Sequence, residues 1–338
     1  MRIKGVIGPL AALLLAATLS CTQRERVGGC GSVALTFSTG LDTKASTPGD
    51  GTVADGGGIF IAGNAPDVVV YLFNSSGGRV GIYPTDGDDA ECILSTSTSA
   101  TIEFLEIPEG TYSVYAVANT QGLWAMDEFT SWASISTESA LNDLVFTPLA
   151  SGIVPVVTDR LPLSAKGTVS VSADQRGEVS LELLRCTGKV SVELLNQTNE
   201  TLEFSNLSIT LKNMCASTGY LFAHTPDKPG ASTTSDIAIL SGASCSVESA
   251  TSRRDSVYVF PQIVSSPARF LCDVSFTLDD VDESFTDLPV QNYRAEDIIS
   301  IARNEHLKIT IRIGRGKMVS FNFAVGEWEE LFEDVSFD

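Results

Sequence analysis

The stretch LKITIRIGRGKMVSFNFAV, residues 307–325, alternates apolar and polar side chains on either side of a Gly314-Arg315-Gly316 turn. Because successive side chains of a strand point to opposite faces, this alternation predicts a β-hairpin with one face in a core and the other in solvent. The predicted core face consists of Leu307, Ile309, Ile311, Ile313, Val319, Phe321, Phe323 and Val325. Truncation is expected to cost about 2–5 kcal/mol at any of Ile309, Ile311, Phe321 and Phe323.

Similar short runs, bounded by glycine, proline or aspartate, recur through the chain and predict further strands. These strands are residues 33–37, 68–73, 101–107, 111–117, 168–171, 179–184, 189–195, 207–211, 257–260 and 274–278. Residues 137–144 and 295–303 are predicted to be helical, and residues 42–58 and 223–235 to be surface loops. The pattern therefore predicts an all-β protein whose length suits two β-sandwich domains that meet near residue 180.

The first residues predict export. Arg2 and Lys4 precede an apolar run at residues 6–19, which is too short to span a bilayer and ends at Ser20-Cys21. This pattern resembles a lipoprotein signal, so residues 1–20 are predicted to be removed and Cys21 to be acylated, which would anchor the protein to a membrane. The alternative is an ordinary secretory signal cut nearby, with Cys21 left as a free or disulfide-bonded cysteine.

The charge of the chain argues against nucleic-acid partners. The full sequence carries a net charge of −20, and removal of two basic residues with the signal peptide makes it −22. Nucleic-acid binding depends on clustered Lys and Arg side chains that neutralise phosphates, and an acidic surface repels them.

The cysteines indicate neither a zinc site nor a redox motif. With Cys21 acylated, an even set remains, and no two of its members form a Cys-x-x-Cys pair. Disulfide pairing and simple burial are both compatible with this spacing. The set consists of Cys30, Cys92, Cys186, Cys215, Cys245 and Cys272.

Residues suited to catalysis are scarce. The chain has two histidines, His224 and His306, and we predict that both are surface or half-buried structural residues. Acidic clusters at residues 86–89 and 279–283 are predicted to be solvated loops, with calcium binding as the alternative. The sequence thus predicts a protein that is not an enzyme and holds no cofactor or metal.

The three tryptophans leave two interpretations open. They are Trp124, Trp132 and Trp328. They would suit a glycan-binding groove, but they equally suit core or edge positions.

Four segments, read in order, resemble the fimbrillin family, the subunits of type V pili in Gram-negative anaerobes. They are DVVVYLFNSSGG at residues 67–78, GTYSVYAVANTQGL at 110–123, VSLELLRCTGKVSVELL at 179–195, and the last strands at 303–313 with 323–328. Arg185 stands at the usual arginine of the third segment.

The resemblance implies two transthyretin-like Greek-key β-sandwich domains in tandem, at residues 21–180 and 181–338. It also implies a fimbrial lipoprotein of the cell outer membrane, with other fimbrial subunits as partners and a role in adhesion. In this family one subunit's strand completes a neighbour's sheet, which is favourable because an open sheet edge exposes unpaired N–H and C=O groups.

One departure from the family pattern concerns proteolytic processing. Shaft subunits of the family are cleaved after an arginine shortly beyond the first strand, and Lys44 occupies the comparable position here. Lys44 therefore marks the candidate processing site. A lysine at this position argues against cleavage by an arginine-specific protease and favours an uncleaved minor or anchoring subunit. The alternative function is a non-polymerising surface lipoprotein that binds glycan or host protein through its Gly/Ser-rich loops.

The end of the chain, WEELFEDVSFD at residues 328–338, is predicted to be an assembly strand. Val335 and Phe337 alternate with acidic or polar residues, as a pairing strand requires. The alternative is a helical turn that folds back on its own domain, because some of these residues also follow the i, i+3, i+4, i+7 spacing. The apolar residues of this segment are Trp328, Leu331, Phe332, Val335 and Phe337.

Overall fold

The computed structural model describes a set of residues that covers most of the chain after its first 28. They are residues 29–39, 59, 61–62, 65–84, 89–96, 98–120, 132–146, 161–215, 219–222, 234–264 and 267–327. Every structural statement below refers to these residues. The predictions made for Cys21, Lys44, His224, Trp124 and residues 328–338 fall outside them, as do those for residues 42–58, 86–88 and 223–233.

The elements are almost all strands. In the first half they are β1 (Cys30–Ser38), β2 (Ile61–Ala62), β3 (Ala65–Pro66), β4 (Val68–Phe73), β5 (Arg79–Tyr83), β6 (Ala90–Ser95), β7 (Ser99–Pro108), β8 (Gly110–Ala118), the helix α1 (Glu138–Asn142), β9 (Val145–Phe146), β10 (Leu163–Val171), β11 (Arg176–Glu182) and β12 (Leu184–Arg185). In the second half they are β13 (Gly188–Asn196), β14 (Leu202–Cys215), β15 (Gly219–Tyr220), β16 (Thr234–Val247), β17 (Ser252–Val259), β18 (Gln262–Ile263), β19 (Leu271–Leu278), β20 (Val281–Pro289), β21 (Ser300–Ile301), β22 (Glu305–Ile313) and β23 (Val319–Glu327), with a 3-10 turn at Arg315–Lys317.

The first half forms one sandwich of two sheets. One sheet has the order β11-β1-β7-β6 and the other β12-β10-β8-β4-β5. β1 runs parallel to β11 and antiparallel to β7. The inward-facing residues of both sheets form one apolar core, which includes Val33, Leu35, Phe37, Val70, Leu72, Ile102, Phe104 and Val114. We call this unit the first sandwich.

The second half forms a second sandwich with its own core. Its sheets have the orders β17-β13-β22-β23 and β16-β14-β19-β20. The core includes Val190, Val192, Phe204, Ile209, Val274, Phe276, Leu307 and Ile309. The all-β sandwich fold class predicted from the sequence is confirmed.

The predicted hairpin is β22 paired with β23, in a register that places Ile311 opposite Phe321. Ile309, Ile311 and Phe323 are buried in the core, and Phe321 packs against it while half-buried. The prediction was wrong for Val325, which is exposed near the end of an edge strand.

The opposite face of this hairpin is more buried than predicted. Thr310 is buried because β22 is an interior strand and β13 lies beside it, with Glu193 in register with Thr310.

One of the two predicted helices is confirmed. Thr137 is the N-cap of α1, and its hydroxyl accepts a hydrogen bond from the Ala140 amide, as expected of a threonine at this position. The prediction of a helix at residues 295–303 was wrong. The Asn292 carboxamide accepts bonds from the amides of Arg294 and Glu296, which closes a tight loop, and the chain then continues into β21.

The change from the first pair of sheets to the second falls between Arg185 and Gly188. Residue 180 lies within β11, which still belongs to the first sandwich. The division into domains at residues 21–180 and 181–338 stays a prediction.

Candidate functional site

β1 is an interior strand of the first sandwich and is the candidate functional element. Leu35 lies opposite Ile102 on one side and opposite Val179 on the other. Val33 and Phe37 are fully buried beside it. Loss of β1 would leave two long strands with unpaired backbone groups and would open the core to water.

The polar face of β1 is also tied to its neighbours. The Ser32 hydroxyl donates to a Glu103 carboxylate oxygen at 3.0 Å, and the hydroxyls of Thr36 and Thr101 lie 3.1 Å apart. A side chain at Gly31 would collide with the carbonyl oxygen of Gln175, so only glycine allows this close approach. β1 is therefore fitted to its place by hydrogen bonds as well as by burial.

The described sheets end in edge strands. β6 is an edge strand of the first sandwich, and its register shifts between Cys92 and Leu94. Ile93 and Leu94 in this bulge are each about half exposed, at 49% and 50%. β23 is an edge strand of the second sandwich and leads into residues 328–338. Edge strands of this kind present backbone groups to which another strand can pair.

The outer face of the second sandwich carries a compact charged cluster. Glu193 on β13 accepts hydrogen bonds from Arg254 at 2.8 Å and from Lys308 at 2.7 Å. Burial by itself raises the pKa of the Glu193 carboxyl, but the bonds and charges of Lys308 and Arg254 outweigh burial and hold that pKa below its usual range. Glu193 is thus ionised and paired rather than poised as a general acid.

His306 and Ser191 form a neighbouring buried pair, with His306 Nε2 2.6 Å from the Ser191 hydroxyl oxygen. The prediction that His306 is surface or half-buried was wrong, because it is the second residue of the interior strand β22 and is almost fully buried. Its structural character fits the prediction. A substrate would not reach this pair, since both side chains are closed off from solvent.

Trp132 is buried in an aromatic cluster between the two sandwiches, so its core interpretation is confirmed. Its backbone carbonyl accepts a 2.8 Å hydrogen bond from the Tyr71 hydroxyl. Burial raises the pKa of that tyrosine well above its usual value. We call this set the junction cluster; it includes Val69, Tyr71, Phe73, Tyr115, Trp132, Leu141, Leu221, Phe222, Tyr258 and Phe260.

The acidic segment at residues 279–283 forms the tight turn between β19 and β20 and the start of β20, which corrects its prediction as a loop. Asp279 forms an ion pair with Lys317, and Asp282 accepts a hydrogen bond from Thr277. Within the described ranges, no group of three or more His, Cys, Asp or Glu side chains is arranged to hold a metal ion. Nor does any helix in that part of the chain have the length and apolarity to cross a membrane.

The described cysteine side chains are free thiols. They are Cys30, Cys92, Cys186, Cys245 and Cys272. Burial raises the pKa of the Cys272 thiol to about 12 and also raises that of Cys245, so both are kept in the unreactive thiol form.

The sequence model of one protein family, described as fimbrillin-A associated anchor proteins Mfa1 and Mfa2, matches residues 26–334. The chain belongs to this family. Membership confirms the resemblance to fimbrillins and supports a fimbrial subunit role. The fimbrillin-A associated anchor family is one of fimbrial structural and adhesion proteins rather than enzymes.

Solved structures provide a second comparison. A candidate cell adhesion protein from Bacteroides eggerthii has a TM-score of 0.56 and 14% identity, over 89% of this chain and 97% of that one. This likeness supports the fold alone. Two likenesses are too distant to support an inference. A fimbrial assembly protein from Parabacteroides distasonis has a TM-score of 0.46 and 14% identity, over 88% and 98% of the chains. The fimbrial anchor protein Mfa2 from Porphyromonas gingivalis has a TM-score of 0.38 and 12% identity, over 88% and 98%. A comparison with curated proteins found no match to the sequence.

Arg185, the residue singled out by the fimbrillin-like motif, is buried and donates a 2.7 Å hydrogen bond to the Asn304 carboxamide oxygen. No sequence pattern pointed to a role for Arg303, which lies next to Asn304 and binds across the junction. Arg303 is the first residue of the fourth fimbrillin-like segment, but the neighbouring sequence does not indicate which residues it contacts.

Proposed function

We propose that this chain is a minor or membrane-anchoring subunit of a cell-surface fimbria that joins its neighbours by β-strand complementation and supports adhesion. The observation that carries the proposal is the interior position of β1, with Val33, Leu35 and Phe37 fully buried. No catalytic activity is expected of it.

The position of β1 decides what the subunit can accept. A neighbour's strand adds to a sheet only where backbone groups are unpaired. β1 already pairs with the backbone groups of β7 and β11 that face it. A subunit that keeps β1 can donate a strand but cannot accept one in that groove. Such a subunit terminates a filament, as a base or anchor must.

The proposed acylation site and β1 both precede Lys44 in the chain. Cys21, the proposed acylation site, precedes Cys30 at the start of β1 by nine residues, a reach of at most about 30 Å. Cleavage after Lys44 would remove β1 and the lipid together. Lysine at this position, where the family has arginine, would protect both from an arginine-specific protease and leave the protein on the outer membrane.

The donor segment in this proposal is residues 328–338, which follow the edge strand β23. Val335 and Phe337 would enter a neighbour's core, and Trp328, Leu331 and Phe332 would add apolar contact. Other fimbrial subunits are the partners, and adhesion to host protein or glycan would follow from the filament.

The experiment compares the wild-type chain with Lys44→Arg in cells that produce the arginine-specific protease. Intact-mass analysis of the wild-type chain from membranes should show a lipidated N-terminus at Cys21 and an uncut β1. Lys44→Arg should be cut and should lose membrane attachment, and its filaments should detach. A wild-type chain that begins after residue 44 in isolated filaments would overturn the proposal.

The alternative, a non-polymerising lipoprotein that binds glycan or host protein, makes a different prediction. Electron microscopy of cells that lack the chain would then show unchanged, attached filaments. The purified chain would bind specific glycans on an array.

A further inference from the structure

Arg303 connects the two sandwiches through a single guanidinium group. It lies between the short strand β21 and β22, an interior strand of the second sandwich. One terminal nitrogen donates to the Ser164 hydroxyl oxygen on β10 of the first sandwich at 2.6 Å. Both terminal nitrogens donate to the Leu221 carbonyl oxygen at 2.8 Å. The two acceptors sit side by side, so the planar guanidinium suits them better than an ammonium group would.

The Leu221 carbonyl is the centre of this contact. It also accepts a hydrogen bond from the Ser164 hydroxyl at 2.6 Å, which adds a donor from the first sandwich. The Cys186 thiol lies 3.2 Å from the same carbonyl and 3.4 Å from the Ser164 hydroxyl oxygen. A thiol carries one proton, so these two bonds are alternatives. Leu221 and Cys186 are completely buried, which strengthens the contacts of the charged group.

Two further contacts hold the same place. The Leu221 amide donates to the Leu144 carbonyl, and β15 pairs with β9, so a strand from the second half extends a strand from the first. Phe222 meets the ring of Tyr115 edge to face, with centroids 4.9 Å apart, inside the junction cluster. The junction thus combines a charged hydrogen-bond centre, a short sheet and an aromatic core.

We propose that Arg303 is a lock that makes the two sandwiches one rigid unit. The cluster is apolar and non-directional, so it favours contact without defining one angle, and the sheet of β9 and β15 pairs only two residues of each strand. The guanidinium fork, in contrast, has directional bonds that are satisfied in one relative placement of β10 and Leu221. Removal of Arg303 leaves the sandwiches folded but free to open at the junction.

The lock has a mechanical consequence that rests on the proposed anchoring function. The lipid segment leads into β1 of the first sandwich, and the proposed donor segment follows β23 of the second. A pull between membrane and filament therefore crosses the junction. A locked junction would transmit this load to the interior strand β1 and the edge strand β23 rather than open.

The test uses the purified full chain and three variants, Arg303→Ala, Arg303→Lys and Ser164→Ala. Calorimetry should show one unfolding transition for the wild type and two for Arg303→Ala. Arg303→Lys should resemble Arg303→Ala, because lysine keeps the charge but lacks the two terminal N–H donor groups of the planar guanidinium. Amide hydrogen exchange at residues 219–222 should accelerate at least about tenfold in both. Ser164→Ala should shift exchange in the same direction and keeps the test decisive if Arg303→Ala does not fold.

The matched control is Arg253→Ala, because Arg253 pairs with Asp255 on its own strand in the second sandwich. It should retain one transition and wild-type exchange at the junction. If Arg303→Ala or, failing that, Ser164→Ala unfolds in one transition with wild-type exchange, the lock is refuted. If the transitions separate but filaments on cells bearing Arg303→Lys stay attached under flow, the lock stands and its role in transmitting the pull is refuted.

Discussion

The ring of Phe321 on β23 meets the ring of Phe285 on β20 edge to face, with centroids 4.9 Å apart. These strands are edges of the two different sheets of the second sandwich. The Phe285 ring also packs against Phe276, at a centroid distance of 6.4 Å, and the Phe276 ring packs against Phe204, at 5.4 Å. A row of aromatic rings thus closes one side of the core, where edge-to-face packing is favourable.

Replacement of Phe321 by alanine should lower the free energy of unfolding by about 2 kcal/mol, near the lower end of the range for core truncations, because Phe321 is half-buried. Ile309→Ala should cost more, about 3–4 kcal/mol, since Ile309 is completely buried. Chemical denaturation measures both. Met318→Ala, at an exposed position of the hairpin turn, is the control and should change stability by less than about 0.5 kcal/mol. Unaltered stability of Phe321→Ala would show that the assigned face is wrong.

Replacement of Glu193 by glutamine should destabilise the protein at neutral pH by about 1.5–3 kcal/mol, because it removes the charged acceptor of Lys308 and Arg254. The folded-state pKa of Glu193 lies below its ordinary value of 4.5. Its ionisation therefore stabilises the fold above that ordinary pKa, and this contribution is lost as the pH falls through the lower folded-state pKa.

The difference in stability between wild type and Glu193→Gln should accordingly shrink as denaturation is measured at decreasing pH below 4.5. Glu203→Gln provides a control, because the Glu203 carboxylate accepts a hydrogen bond from Ser246 at the surface. A difference between wild type and Glu193→Gln that stays constant down to strongly acidic pH would contradict the assigned charge pairing.

Joint replacement of His224 and His306 should leave biological activity intact as long as the protein stays folded. His306→Ala should itself destabilise the fold by about 1–3 kcal/mol, because the buried Ser191 hydroxyl loses its partner. Filament attachment and thermal unfolding should be measured together on the same samples. A fully folded double variant without activity would reveal chemistry that involves a histidine.

Replacement of Cys21 by serine should release the protein from the membrane, because serine has no thiol to accept the lipid. Fractionation of cells should move the variant to a soluble fraction, and mass spectrometry should find the lipid on the wild type but not on the variant. Cys30→Ser is the matched control, since Cys30 is the next cysteine and stands at the start of β1. Membrane retention of Cys21→Ser without any lipid would contradict the proposed anchor.

Deletion of residues 331–338 should yield a chain that folds with near-normal stability but no longer joins a filament. The reason is that a donor strand makes its contacts in the neighbour rather than in its own subunit. Thermal unfolding and co-purification with fimbriae measure the two properties separately. Clear destabilisation of the truncated chain would instead show that the segment docks on its own second sandwich.

Local periodicity predicted most of the strands because a half-buried strand carries its burial pattern in its own sequence. β7 and β19 illustrate this, since buried and less buried residues alternate along each. The prediction of a helix at residues 295–303 failed because of a turn that begins before the segment. Its composition suits a helix, but Asn292 outside the segment closes a turn that the spacing of apolar residues does not report.

Burial on the outer faces of the sheets was not predictable in this way. Alternation indicates which side chains share a face, but it does not indicate whether a second element covers that face. Tyr71 and Phe73 illustrate the difference, because their face of β4 is buried by the junction cluster. His306 was misjudged for the same reason, since its burial depends on neighbours from distant strands.

The sequence by itself determined the all-β class, the hairpin at residues 307–325 and, through short motifs in order, the fimbrillin-like family. These features are encoded by alternation and turns within a few residues. Only the tertiary structure decided how the two halves meet. Arg303 and Ser164 are separated by 139 positions, and their contact depends on the placement of whole sheets. No local pattern reports such a contact, because each residue is compatible by itself with an exposed surface.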